Sequence, residues 1–224
     1  MKKVLILISI IVIIANSCGR GSGFLGQREA VFARYKLVYD HAKYQTTAST
    51  EFFQYSENGQ KLNLHVSLKP IIRYNNSTSL IEYSQKDWMY YRVFDGKVNT
   101  ITSSYQYTYQ IQPYTNTLQL PSAISFPSGF NSLVKANGLT LTFNGNAIDQ
   151  NEKVVLQIGD LTFENSKVGS NTFELTAQDL QKLPTGNLTA TLTRIKRLDA
   201  TEASPAGGVK QTEYKSGEKI IAVM

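Results

Sequence analysis

Apolar and polar residues alternate with period two along most of this chain. Val31, Ala33, Tyr35, Leu37 and Tyr39 interleave with Phe32, Arg34, Lys36 and Val38. That pattern predicts a strand with one buried face and partial cover on the other. Leu62, Leu64 and Val66 alternate with Lys61, Asn63 and His65, just after Glu57-Asn58-Gly59. Asn-Gly tolerates positive φ at both turn positions, so a hairpin is expected there. Trp88, Tyr90, Arg92 and Phe94 run into Asp95-Gly96, and a second hairpin follows by the same logic. Leu139, Leu141 and Phe143 lead to a turn signal at Asn144-Gly145. Val154, Leu156 and Ile158 alternate, as do Leu188, Ala190 and Leu192, and Thr172 to Leu175 reads as a short strand. One helical turn is expected after Thr176: Thr176 and Asp179 have capping-box spacing, and Leu175 and Leu180 occupy the staple positions.

Pro113, Pro121 and Pro127 fall among polar residues. Proline removes a ladder donor, so this stretch is not expected to be a central strand. A domain boundary or an exposed crossing segment is expected near residues 112–121. Residues 199–208 read as a polar loop. Ile220, Ile221, Ala222 and Val223 form an apolar run expected to be a buried strand, antiparallel to the strand at 188–197, with 199–215 a long excursion between them. Strands at this spacing, with turns between, indicate sandwiches. The expected fold class is all-β: a β-rich unit at 27–111, a linker at 112–120 and an immunoglobulin-like β-sandwich at 121–224. No internal sequence repeat is visible.

The chain has 224 residues and a single Cys, which excludes an intrachain disulfide framework and Cys-rich zinc sites. That Cys stands at a telling place. Lys2 and Lys3 precede an apolar run from Val4 to Ile14, too short to cross a bilayer core comfortably, and Ala15-Asn16-Ser17-Cys18 follows. This is the layout of a secretory signal. The segment resembles the lipobox of bacterial lipoproteins, with small Ser17 before Cys18. Ala15 stands where that family usually has Leu, and Asn16 is unusual there. The resemblance implies a signal peptide at 1–17, cleavage before Cys18, acylation of Cys18, and a tether at 18–26. It places the protein in the cell envelope, membrane-bound through its lipid. Gly19, in place of an Asp, leans toward the outer membrane. A plain signal peptide with an incidental Cys and an uncleaved anchor remain alternatives. The two units together, most of the chain, resemble bacterial lipoproteins built as tandem small sandwiches. Loss of Lys2 and Lys3 on cleavage lowers the formal net charge of +6 by two. Arg194, Lys196 and Arg197 look like a solvated face, and no basic stripe on a nucleic-acid motif is present.

Catalytic signatures are sparse. His41 neighbours Asp40, but adjacent residues on a strand point to opposite faces. His65 lies on the polar side of its alternation. No His-x-His, His-Glu-x-x-His, Asp-rich calcium loop or Gly-x-Ser-x-Gly elbow occurs. No catalytic residue, metal ligand or cofactor is therefore expected. The sequons at Asn75, Asn76 and Asn187 read as chance matches in a bacterial lipoprotein. Tyr105, Tyr107 and Tyr109 share one strand face, flanked by Ile101 and Ile111 at the same parity. Such a row could stack on sugar rings or anchor a partner; the flanking Ile residues equally fit an inner face. The reading is a non-catalytic envelope lipoprotein that binds another protein or serves in an assembly. The alternatives are a glycan-binding accessory protein using the Tyr row, and a hydrolase with two carboxylates.

Overall fold

The computed structural model describes residues 31–67, 69–107 and 112–224. The signal peptide, Cys18, the tether and Tyr109 lie outside the described residues. In chain order the strands are β1 (Val31–Asp40), β2 (Gln45–Gln54), β3 (Ile71–Tyr74), β4 (Glu82–Ser84), β5 (Met89–Asp95), β6 (Thr100–Gln106) and β7 (Tyr114–Gln119). They continue as β8 (Ile124–Ser125), β9 (Ser132–Leu133), β10 (Leu139–Thr142), β11 (Asn144–Gly145), β12 (Glu152–Ile158), β13 (Leu161–Asn165) and β14 (Thr172–Leu175). The last are β15 (Gly186–Ser204), β16 (Gly207–Lys215) and β17 (Lys219–Val223). Among the described residues two α-helical turns, α1 (Leu64–Ser67) and α2 (Ala177–Leu180), and a 3₁₀ turn at Lys135–Asn137 interrupt them.

The chain is all-β and layered. A ten-stranded sheet runs β13-β12-β15-β16-β1-β2-β5-β4, with β17 and β9 joined to it through β15. β1 pairs in parallel with β16, from Ala33 against Gly208 to Asp40 against Lys215. One sheet therefore carries strands from both sides of the expected boundary at 112–120. The layers covering its inner face are local in sequence. The first is the sheet β3-β6-β7. It packs on β1, β2 and β5 through Tyr105, which meets Phe52 at 5.1 Å and Tyr35 at 6.2 Å between ring centroids. The buried Tyr74 hydroxyl donates to the carbonyl of Tyr90 and shares a hydrogen bond with Thr50. The second cover comprises the pairs β8-β11 and β10-β14 with the adjoining segments. Its Phe143 ring lies under the Arg194 guanidinium of β15.

Period two is obeyed where it was legible. The odd residues of β1 are buried and the even ones half-buried. On the outer face three of the even residues join ion pairs: Arg34 reaches Glu51 and Glu57, Lys36 reaches Glu213, and Lys215 reaches Asp40. Each such pair contributes little stability. Together they leave the half-exposed side of the sheet polar rather than sticky.

Several turns differ from expectation. Asp95-Gly96 is not a hairpin. β5 already has β2 and β4 as neighbours, so the chain must leave the sheet. Gly96, at φ 76°, turns it toward the first cover. The bend is held from β2: the Gly96 amide donates to the Tyr44 carbonyl, and the Thr46 hydroxyl donates to the Gly96 carbonyl. After Asn58-Gly59 only Lys61 bridges back, to Phe53, and the chain then forms α1 instead of a strand. The positive φ falls on Tyr55, while a Cβ at Gly59 would collide with the Gln54 carbonyl. Asn144-Gly145 is itself a short strand against β8. Residues 114–119 of the expected linker form β7, an edge strand, as proline on either side allows.

Residues 199–215 are not an excursion. β15 continues to Ser204, turns at Pro205-Ala206, and returns as β16. Proline presets the first turn residue, Ser204 Oγ accepts the Ala206 amide, and Gly207 supplies φ 90°. β16 and β17 then line one side of β15 in succession. Between them Ser216 donates its amide to the Leu192 carbonyl and accepts the Leu192 amide on its hydroxyl. β17 is antiparallel to β15, with Gly186 against Val223 and Ala190 against Lys219, as the sequence predicts. The capping box of α2 also forms: Thr176 Oγ1 accepts the Asp179 amide, and Asp179 accepts the Thr176 amide.

Candidate functional site

The inner face of the long sheet is apolar at both ends and polar in the middle. Register places Leu156 beside Leu192, and Val154 beside Arg194 and Tyr214. The next row is Glu152, Lys196, Thr212 and Leu37, and the row after it holds Leu198, Lys210 and Tyr35. Tyr35 and Leu37 lie beneath the first cover, and Leu192 and Leu156 are fully buried. Lys196, Leu198 and Lys210 fall in the seam between the two covers. There Leu198 is 40% exposed on a face that is elsewhere closed. The seam is a cleft of about 530 Å³, within the range of roughly 300–1,000 Å³ usual for ligand clefts. Its wall is β7 and the segment that follows, from Thr117 to Ser122.

One end of the floor is a buried ion pair. The side chains of Arg194 and Glu152 are 1% and 5% exposed, with Nη1 and Oε2 3.2 Å apart. Nη1 also donates to Ser122 Oγ at 2.9 Å and toward the Ala147 carbonyl, and Nη2 donates to the Asn146 carbonyl. Arg194 thereby ties β15 to the second cover. Burial pulls its pKa below the ordinary value, and Glu152 opposes that shift. The other Glu152 oxygen lies 3.6 Å from Lys196 Nζ. Lys210 Nζ donates to Thr201 Oγ1 at 2.9 Å. Glu152 is the carboxylate lining this cleft, against Lys196 and Lys210, so the opening is cationic.

Arg194, Lys196 and Arg197 do not form one solvated face. Arg194 and Lys196 share the parity of Leu188, Ala190 and Leu192 and therefore point inward. Arg197, on the other face, pairs with Glu57. That parity was the available signal. Nothing local could announce that Lys210, Thr117 and Glu152 would meet them.

Tyr105 and Tyr107 lie inside the molecule, 0% and 3% exposed, with rings 5.4 Å apart. A sugar cannot stack on faces that already pack against Phe52, Tyr35 and Tyr114. Burial raises the Tyr105 phenol well above its ordinary pKa, and that of Tyr90 to about 12. At β5, in the other sheet, Trp88 is 38% exposed, and Tyr91 donates its hydroxyl to Glu82.

His41 is exposed in the β1–β2 turn and meets Tyr39 edge-on at 6.1 Å. Asp40 instead accepts the Ala42 amide and faces Lys215. His65 lies on α1, not on a strand, and stacks on Tyr83 at 4.4 Å. Among the described residues no group of three or more His, Cys, Asp and Glu side chains converges.

No protein-family model matches the chain, and no curated protein does. Among solved structures it is similar to a Ca²⁺-stabilised adhesin that helps an Antarctic bacterium bind ice. The identity is 9% and the TM-score 0.25, over 86% of this chain and 49% of that one. It is also similar to a bacterial ice-binding adhesin of 1.5 MDa, at 12% identity and a TM-score of 0.26, over 86% of this chain and 66% of that one. The chain thus spans less than two thirds of the first and about two thirds of the second. Scores of this size do not establish a shared fold.

Proposed function

We propose that the protein is a non-catalytic lipoprotein of the bacterial cell envelope that binds another protein through its sandwich. The observation that carries this reading is the position of the only cysteine, directly behind a short apolar run and a small residue. Two or three acyl chains anchor stably, because each buried CH₂ contributes about 0.8 kcal/mol. The cationic cleft at the seam of the covers supports a binding role. Its one lining carboxylate is already engaged by Arg194 and Lys196, whereas glycoside hydrolysis needs two free to share a substrate. The glycan alternative rested on the Tyr row, and two of its three rings are enclosed.

Cys18→Ala is expected to abolish fatty-acid labelling. A wild-type chain that is unlabelled and stays with membranes at precursor size would show that residues 1–17 act as an uncleaved anchor.

A further inference from the structure

The wall of the cleft is an open strand edge. The Thr115 amide points away from β6, since it donates to Glu202 Oε2 at 2.7 Å. The Leu120 amide points toward β6, donating to the Asn99 carbonyl. In an antiparallel pair these directions alternate residue by residue. Thr102 of β6 confirms the phase. It stands opposite Thr117, yet its amide donates to Asn75 Oδ1 and its carbonyl accepts the Asn75 amide, on the side away from β7. The amides and carbonyls of Thr117 and Gln119 therefore face outward from the sheet β3-β6-β7, into the cleft.

The two halves of this edge are treated differently. At Thr115 and Asn116 it is closed by the tip of the β15–β16 hairpin. Glu202 takes the Thr115 amide, and the Asn116 side chain bonds the backbone of Thr201 and Glu202. Proteins commonly cover sheet edges in this way to prevent unwanted pairing. At Thr117 and Gln119 no strand among the described residues pairs with the outward side. Pro121, which has no amide to offer, ends the usable edge.

We infer that the cleft is a strand-addition site for an extended acidic segment of a partner protein. This rests on the protein-binding reading above. An added strand beside β7 would extend the first cover across the seam and close it. Its backbone would bond Thr117 and Gln119. Its alternate side chains would point down onto Lys196, Leu198 and Lys210, because successive residues of a strand face opposite ways. Main-chain bonds supply affinity in such complexes and alternate side chains supply specificity. Lys196 and Lys210 select carboxylates, and Leu198 packs against the methylene groups of the downward Glu side chains. A segment alternating Glu with Val or Thr, with the acids facing down, fits both requirements.

The test is fluorescence-polarisation titration of the full chain in detergent with a labelled alternating Val-Glu hexapeptide. Saturable binding is expected. It should weaken at least tenfold with Lys210→Glu and with Gln119→Pro. The Gln119 amide takes no part in the β6–β7 ladder, so proline there removes a docking donor while the thermal transition stays in place. Lys196→Glu is a third variant, interpreted only if it keeps that transition, since it sits beside Glu152. A peptide N-methylated at alternate residues should not bind. Equal binding of the N-methylated peptide, or of an oligogalacturonate, would overturn strand addition in favour of plain charge attraction. So would binding unchanged by Gln119→Pro, or none with the Val-Glu peptide. A partner that co-purifies equally with the wild type and with Lys210→Glu would overturn the cleft as the site and leave protein binding standing. Absence of any stoichiometric partner would overturn both.

Discussion

A chain lacking residues 219–224 is expected to show no cooperative unfolding transition. Ile221 and Val223 are 0% and 1% exposed, and each buried aliphatic side chain contributes about 1.5–3 kcal/mol. β17 also stands between two neighbours, antiparallel to β15 and parallel to β9. Its loss strands both ladders, together with the bonds of Met224 to Leu133 and Lys135. The Lys219 ammonium would also leave the carbonyls of Pro127 and Ser128. These losses are comparable with a whole stability of about 5–15 kcal/mol. Urea titration followed by circular dichroism measures the effect. Ile220→Ser is the comparison: Ile220 is 69% exposed, and a surface change of this kind shifts stability by about 0.5 kcal/mol or less. A truncated chain with an unshifted midpoint would show β17 to be dispensable.

Arg194→Met should cost about 3–5 kcal/mol, the usual consequence of removing one partner from a buried ion pair. Glu152 would keep Lys196 and the Asp149 amide, and the carbonyls of Asn146 and Ala147 would lose a donor. For a domain of this size the melting temperature should fall by roughly 6–20 °C, at about 2–4 °C per kcal/mol. Adding Glu152→Leu should recover more than half of the loss, because well-packed apolar groups can replace a buried pair. If the double variant is less stable than Arg194→Met alone, Glu152 stabilises the fold by some route other than its pairing with Arg194.

What could be read from sequence was local. The alternation of β1, the capping box of α2 and the apolar run of β17 each depend on residues within a few positions. Even the Tyr row carried its answer, since Ile101 shares the parity of Tyr105 and both are buried. Apart from β17 against β15, pairing was not legible. β1 meets β16 from the far end of the chain, and no turn dipeptide announces a parallel neighbour. Asp95-Gly96 has the chemistry of a hairpin, but both edges of β5 are taken before the chain reaches it. Residues 199–208 look like a loop because they are polar, yet a hairpin tip held by Asn116 can be polar too. The cleft was the least legible feature. It is a gap between two covers, and its residues come from β7, β12, β15 and β16.

Photo-cross-linking in intact cells tests the binding role most directly. A photoreactive phenylalanine is placed at Gln119, at the open edge of β7, and separately at Lys36, on the outer face of the long sheet. One discrete protein adduct is expected in the membrane fraction from position 119 and none from position 36. A membrane-anchored chain that yields no protein adduct from either position would contradict the binding role.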